Sequence, residues 1–180
     1  MSSFFALLAL AACAVAAVLL VSRAVSLAPA GRWWWERVGR SVGPQALPLA
    51  WLVAAVSTAG SLYYSEAAGL VPCELCWYQR IAMYPLVVVL GIAALRRDFS
   101  IRFYVLPLSL IGLSISSYHY WLQLNPGQGA DFCTAGVPCS AMLVSEFGFI
   151  SIPFMAGCGF AAITALLLTT GVTASSKGQM

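Results

Sequence analysis

Apolar residues run along this chain in long blocks separated by short polar stretches. Five blocks reach membrane-spanning length: roughly Phe4–Val21, Leu47–Tyr64, Trp77–Leu95, Phe103–Leu122 and Phe149–Thr170. Each is close to the ~20 residues a helix needs to cross a bilayer at about 1.5 Å per residue. Helices are the expected form, because hydrocarbon offers no partner for an unpaired backbone N–H or C=O. Pro85, Pro107 and Pro153 fall inside these blocks, which bundled membrane helices tolerate.

Composition strengthens this picture. The chain is 61% apolar and 8% charged, whereas a soluble domain carries about a quarter charged residues. The net charge of +3 is small and forms no basic stripe of the kind that binds nucleic acid. The position of the charges fixes orientation. Arg23, Arg32, Arg37 and Arg40 fall between the first two spans, Arg96, Arg97 and Arg102 between the third and fourth, and Lys177 in the tail. These segments share one side, expected to be cytoplasmic because Lys and Arg accumulate there. Glu66, Glu74, Asp131 and Glu146 fall on the other side, with Arg80 just inside the third span. Trp33, Trp34 and Trp35 then mark the inner interface, and Tyr63, Tyr64, Trp77, Tyr78, Tyr118, Tyr120 and Trp121 the outer one, mostly as anchoring girdles. Ala28-Pro29-Ala30 and Leu10-Ala11-Ala12-Cys13 faintly resemble signal-processing sites, but no basic region precedes Phe4. The first block is therefore expected to be a retained helix with its N-terminus outside.

The chain has six cysteines. On this topology Cys13 and Cys158 lie within spans and read as inert small apolar residues. Cys73 and Cys76 lie in the first outer loop where it enters the third span, and Cys133 and Cys139 in the second outer loop, roughly residues 123–148. Both pairs are thus on the oxidising side, where disulfides persist. Pro72 precedes Cys73-Glu74-Leu75-Cys76 and a helix follows at once, so Cys76 falls in or near a first helical turn. Unpaired N–H groups and the helix dipole favour a thiolate there, although Glu74 opposes it. Thr134-Ala135-Gly136-Val137-Pro138 could close Cys133 and Cys139 into a disulfide. The second outer loop as a whole, roughly residues 123–148 with the polar tip Asn125-Pro126-Gly127-Gln128-Gly129, is long enough to swing between an outside partner and the first pair.

Arg80 follows Cys76 by one helical turn, about 6 Å along the axis, and so faces the same way. An arginine at the centre of a span costs about 2.5–3.5 kcal/mol, less near the interface. It could stabilise a Cys76 thiolate, donate hydrogen bonds to an electron acceptor, or simply snorkel to the headgroups. His119, the single histidine, falls near the same face. It reads either as a packed, hydrogen-bonded residue or as a group that hydrogen-bonds or protonates a redox carrier. One histidine and split cysteine pairs match no common zinc spacing, so no metal is expected.

Pro72-Cys73-Glu74-Leu75-Cys76-Trp77-Tyr78-Gln79-Arg80-Ile81 resembles the motif of the DsbB/BdbC family of quinone-linked, disulfide-forming membrane proteins, and is closer to the BdbC branch. Gly60-Ser61-Leu62-Tyr63-Tyr64-Ser65-Glu66, Tyr118-His119-Tyr120, Gly136-Val137-Pro138-Cys139-Ser140 and Phe147-Gly148-Phe149-Ile150 are similar too. The resemblance spans roughly residues 47–170. It implies an all-α membrane protein with a four-helix transmembrane bundle over 47–172. It does not cover residues 1–46, expected from hydropathy to be an additional N-terminal transmembrane helix and cytoplasmic linker that departs from the four-span family core; residues 173–180 are expected to be a cytoplasmic tail. The resemblance also implies a relay at the cell membrane. A reduced DsbA-like thioredoxin-fold partner would attack Cys133 in its disulfide with Cys139; Cys139 would attack Cys73; and Cys76 would pass electrons to a bound quinone, ubiquinone or menaquinone, beside Arg80 and His119.

Rival readings fit the residues less well. Vitamin K epoxide reductase-type proteins carry their Cys-x-x-Cys after the loop pair, not before it. Thiol-reducing transporters need cysteines reachable from the cytoplasm. A non-enzymatic protein stapled by inert disulfides leaves Arg80 and the helix-start Cys-x-x-Cys unexplained.

Overall fold

A computed structural model of the chain describes residues 2–28, 31–127, 133 and 137–177. Asp131, the linker Thr134-Ala135-Gly136, the end of the polar tip at Gln128-Gly129, and Pro29-Ala30 of the candidate processing site lie outside the described residues. The described residues are helical but for turns and one isolated bridge: α1 (Ser2–Val25), α2 (Arg32–Val42), α3 (Ala46–Leu62), α4 (Glu74–Arg96), α5 (Arg102–Leu124) and α6 (Ile152–Lys177). Five stretches are long and apolar enough to cross a membrane, one of them running from α2 through α3.

The expected spans agree with α1, α3, α4, α5 and α6, with three differences at their edges. The segment expected as a linker is largely the helix α2, which buries Trp35 and Gly39 and leaves Trp33 and Trp34 exposed. Phe149, expected inside the fifth span, belongs to a turn. Phe147 and Gly148 both have positive φ (52° and 81°), and Glu146 and Ile150 exchange backbone hydrogen bonds of 2.9 Å. The helix therefore begins only at Ile152, so Pro153 occupies its first turn, where its missing N–H costs nothing. At the far end α6 continues to Lys177, so most of the expected tail is helical.

The hub of the bundle is α6. Buried residues make up 61% of its spanning window, against 22–33% for the other four. It packs against α1, α2, α3 and α5, while α4 packs against α3 and α5. Hydrocarbon gives two apolar helices no reason to associate, so close approach and interhelical hydrogen bonds hold such bundles. Gly112 on α5 lets the Phe160 ring lie against its backbone, and the Ser109 and Thr164 hydroxyls meet at 3.0 Å. At one end of the bundle the Ser2 and Ser3 hydroxyls donate to the Glu146 carboxylate, the latter at 3.2 Å. That tie brings the start of α1 to the end where α4 begins and α5 finishes.

Candidate functional site

Both cysteine pairs lie at this end. Cys73 is extended (φ −72°, ψ 173°) and α4 begins at Glu74, which makes Cys73 the N-cap and puts Cys76 in the first turn. Their sulfurs are 3.0 Å apart and both are thiols, while Cys133 and Cys139 form a disulfide. Cys139 is buried in a small cluster with Cys73, Leu75 and Leu122, with Cys76, Ile115 and Cys133 packed around it. The loop pair thus rests directly on the helix pair.

His119 joins them. It is 1% exposed, and its Nε2 lies 3.1 Å from the Cys139 carbonyl and 3.6 Å from the Cys73 sulfur. A carbonyl only accepts, so Nε2 carries the proton; Nδ1 then accepts from the Gln79 amide at 3.4 Å. Sequence placed the favoured thiolate at Cys76. The structure lowers the Cys73 thiol below the ordinary thiol range, first through the hydrogen bond it receives from Cys76, then through His119, against burial, which raises it. The Cys73, Cys76 and His119 ligand atoms also lie within 4.8 Å of one another. Spacing along the chain, which matches no zinc pattern, does not register a histidine brought in from another helix.

On the other flank of Cys76 is an elongated cavity of about 400 Å³ between α1, α3, α4 and α6. Its polar end, near the cysteines, is formed by Cys76, Gln79, Arg80, Ser61 and Tyr64; the remainder is lined by apolar side chains such as Leu52, Val56 and Leu166. Arg80 is half-buried and tied to α3 through Ser61. Its Nε donates to the Ser61 hydroxyl at 3.0 Å and its Nη2 to the Ser61 carbonyl at 3.1 Å, and its guanidinium lies 5.2 Å from the centre of the Trp77 ring. The Tyr84 hydroxyl also donates to Ser61, at 3.3 Å. Of the three residues expected beside an electron acceptor, Cys76 and Arg80 line this cavity and His119 does not: its ring is turned toward Cys73 and Cys139. Cys13 and Cys158 stay apart from the site on α1 and α6.

The sequence reading missed two features. Gln79, read only as part of a motif, is buried and orients His119. Tyr64, read as an interfacial anchor, is 7% exposed, and its hydroxyl is buried without a hydrogen-bond partner among the described residues. A π-helical turn over Tyr63–Ala67 ends α3 and shifts the register that would have kept Tyr64 in a girdle.

Comparison with known proteins points to disulfide formation. Residues 44–170 match the family model described as disulfide bond formation protein DsbB. The chain is 51% identical to disulfide bond formation protein C of Bacillus subtilis over 115 residues, 63% of this chain and 83% of that one. It is also 51% identical to a probable disulfide formation protein of Oceanobacillus iheyensis (68% of this chain, 86% of the relative), and 48% identical to one from Chlamydia trachomatis (68% and 89%). No solved structure matches significantly. The family match runs from just before α3 to the last turns of α6 and takes in every cysteine of the site: the chain belongs to the DsbB family, as a multi-pass membrane oxidoreductase that forms disulfides.

Proposed function

We propose that this protein reoxidises a thioredoxin-fold, DsbA-like dithiol partner outside the cytoplasm and delivers the electrons to a membrane quinone. One observation carries the reading: Cys76 forms a wall of the apolar cavity while its neighbour Cys73 packs against Cys139. The thiol pair therefore faces a disulfide on one side and a lipid-like space on the other. The arginine distribution supports an extracytoplasmic site, since Arg23, Arg32, Arg37, Arg40, Arg96, Arg97 and Arg102 all belong to the opposite end.

In the relay, a partner thiolate attacks Cys133 and the Cys139 sulfur leaves as a thiolate. Cys139 attacks Cys73 in the Cys73–Cys76 disulfide, and Cys76 leaves in turn. The partner's second thiol displaces Cys133, releasing oxidised partner; Cys133 then attacks Cys139, closing their disulfide and freeing Cys73. Two electrons then rest on the Cys73 and Cys76 thiols. The Nε2 proton of His119 steadies the Cys73 sulfur as it becomes a thiolate. The cavity fits a quinone, because it joins a polar end bearing Arg80 and a buried, unpartnered Tyr64 hydroxyl to a long apolar remainder. A quinone held there supplies an acceptor for two electrons and two protons. Arg80, Gln79, Ser61 and Tyr64 would hold its head beside Cys76.

The test mixes purified protein, a reduced thioredoxin-fold dithiol protein and a quinone, and follows quinone absorbance. Quinone consumption matched to partner oxidation is expected, with turnover abolished in Cys76→Ser and Cys133→Ser. Partner oxidation beyond one equivalent of protein disulfide without quinone consumption, or turnover that survives either substitution, would overturn the proposal.

A further inference from the structure

Residues 1–43 lie outside the family match, yet α1 builds part of the cavity. Phe5, Leu8, Ala9, Ala11, Ala12 and Val15 all line it. From Phe5 to Val15 is ten residues, or about 15 Å of helix, long enough to follow the cavity from its polar end deep into the bilayer. At the polar end Phe5 packs on the Tyr63 and Tyr64 rings, with centroids 5.7 and 6.0 Å away, and fills the space beside Gly60. Below it, three of the α1 residues facing the cavity are alanines, which leave width where bulky residues would close it. The Ser2 and Ser3 bonds to Glu146 hold the top of this wall in place.

We propose that α1 is a specificity wall of the acceptor site, its Ala9–Ala12 face holding the apolar tail of the lipid-soluble acceptor. The inference rests on the quinone reading above and adds to it the element that recognises the tail. Head and tail are read by different parts of the chain: Cys76, Arg80 and Tyr64 face the head, whereas α1 beyond Phe5 faces the tail. A change on α1 should therefore separate quinones by tail and leave thiol exchange alone.

The experiment uses the full chain in lipid nanodiscs with two acceptors, a decyl-substituted benzoquinone and the same ring without its tail. Ala12→Phe narrows the tail channel. It is expected to raise KM for the decyl quinone about tenfold, as if burial of about two methylenes were lost, and to leave KM for the tail-less ring within about twofold of wild type. Leu8→Ala, which trims a side chain 37% exposed on the same wall, should raise the decyl KM about threefold with the same selectivity. Val18→Phe, at an α1 position 65% exposed and away from the cavity, should behave as wild type. Stoichiometric oxidation of the partner by the protein's own disulfides, without any quinone, reports folding. If Ala12→Phe fails that check, the Leu8→Ala result decides. Equal KM ratios for the two quinones in wild type and variants, with exchange intact, would overturn the role of α1 while leaving the quinone reading standing. Failure of wild type to reduce either quinone would overturn both.

Discussion

At the residue scale, the site turns on contacts between side chains far apart in sequence. Cys73, Cys76 and Arg80 were legible because local spacing carries them: a Cys-x-x-Cys opening a helix, and an arginine one turn on. The roles of His119 and Gln79 were not, because their partners lie 46 and 40 residues away. Cys73 is the thiol favoured as thiolate, and the sign of its pH dependence follows. A pKa lowered on folding means the reduced state gains stability from this group at pH values above the unfolded thiol pKa, and loses it as pH falls through the lower folded value. Thiolate absorbance at 240 nm in the reduced protein should thus persist well below the ordinary thiol midpoint of about 8.5. His119→Ala should move that midpoint upward; an unshifted variant would show that His119 does not support the thiolate. For Arg80, loss of its charge-assisted hydrogen bonds at the polar end is worth about 1.5–3 kcal/mol. Arg80→Ala should therefore raise the quinone KM by roughly 10- to 100-fold, with stoichiometric partner oxidation unchanged. Arg80→Lys should recover only part, since one ammonium cannot reproduce both bonds to Ser61.

At the scale of elements, hydropathy located every long helix to within a few residues, because a span must be apolar over its whole length whatever it packs against. It failed where local chemistry ends a helix or continues it. The positive-φ pair Phe147–Gly148 held Phe149 out of α6, and a tryptophan- and arginine-rich stretch too polar to score as a span became α2. Packing between helices was invisible in the same way. Gly112 reads as an ordinary glycine in an apolar run, yet a Cβ there would come within 2.3 Å of the Phe160 ring. Phe160 is fully buried and has nowhere to go. Gly112→Ala should therefore destabilise the α5–α6 contact by about 1–3 kcal/mol, seen as a lower thermal midpoint in detergent. Gly127→Ala, in open space beyond α5, should leave it unchanged.

At the scale of the whole molecule, charge asymmetry predicted which ends of the helices share a side, and the fold agrees in gathering both cysteine pairs at the end away from every arginine but Arg80. A membrane-impermeant maleimide applied to intact, reduced cells should label Cys133, the half-buried member of the loop pair, before detergent is added. Labelling that requires permeabilised cells would reverse the orientation. The bundle's dependence on α6 also bears on how the protein is made. Ribosomes release a chain from its first residue onward, so α1, α3, α4 and α5 enter the bilayer before the helix that three of them pack against exists. Until α6 arrives, α1 has little to hold it but α2, and Gly112 faces lipid in place of Phe160. Closure of the bundle therefore waits for α6, although α4 can already pack on α3 and α5. A chain stalled between α4 and Cys139 has the Cys73 and Cys76 thiols in place with no Cys139 to seat over them and no α6 to close the bundle.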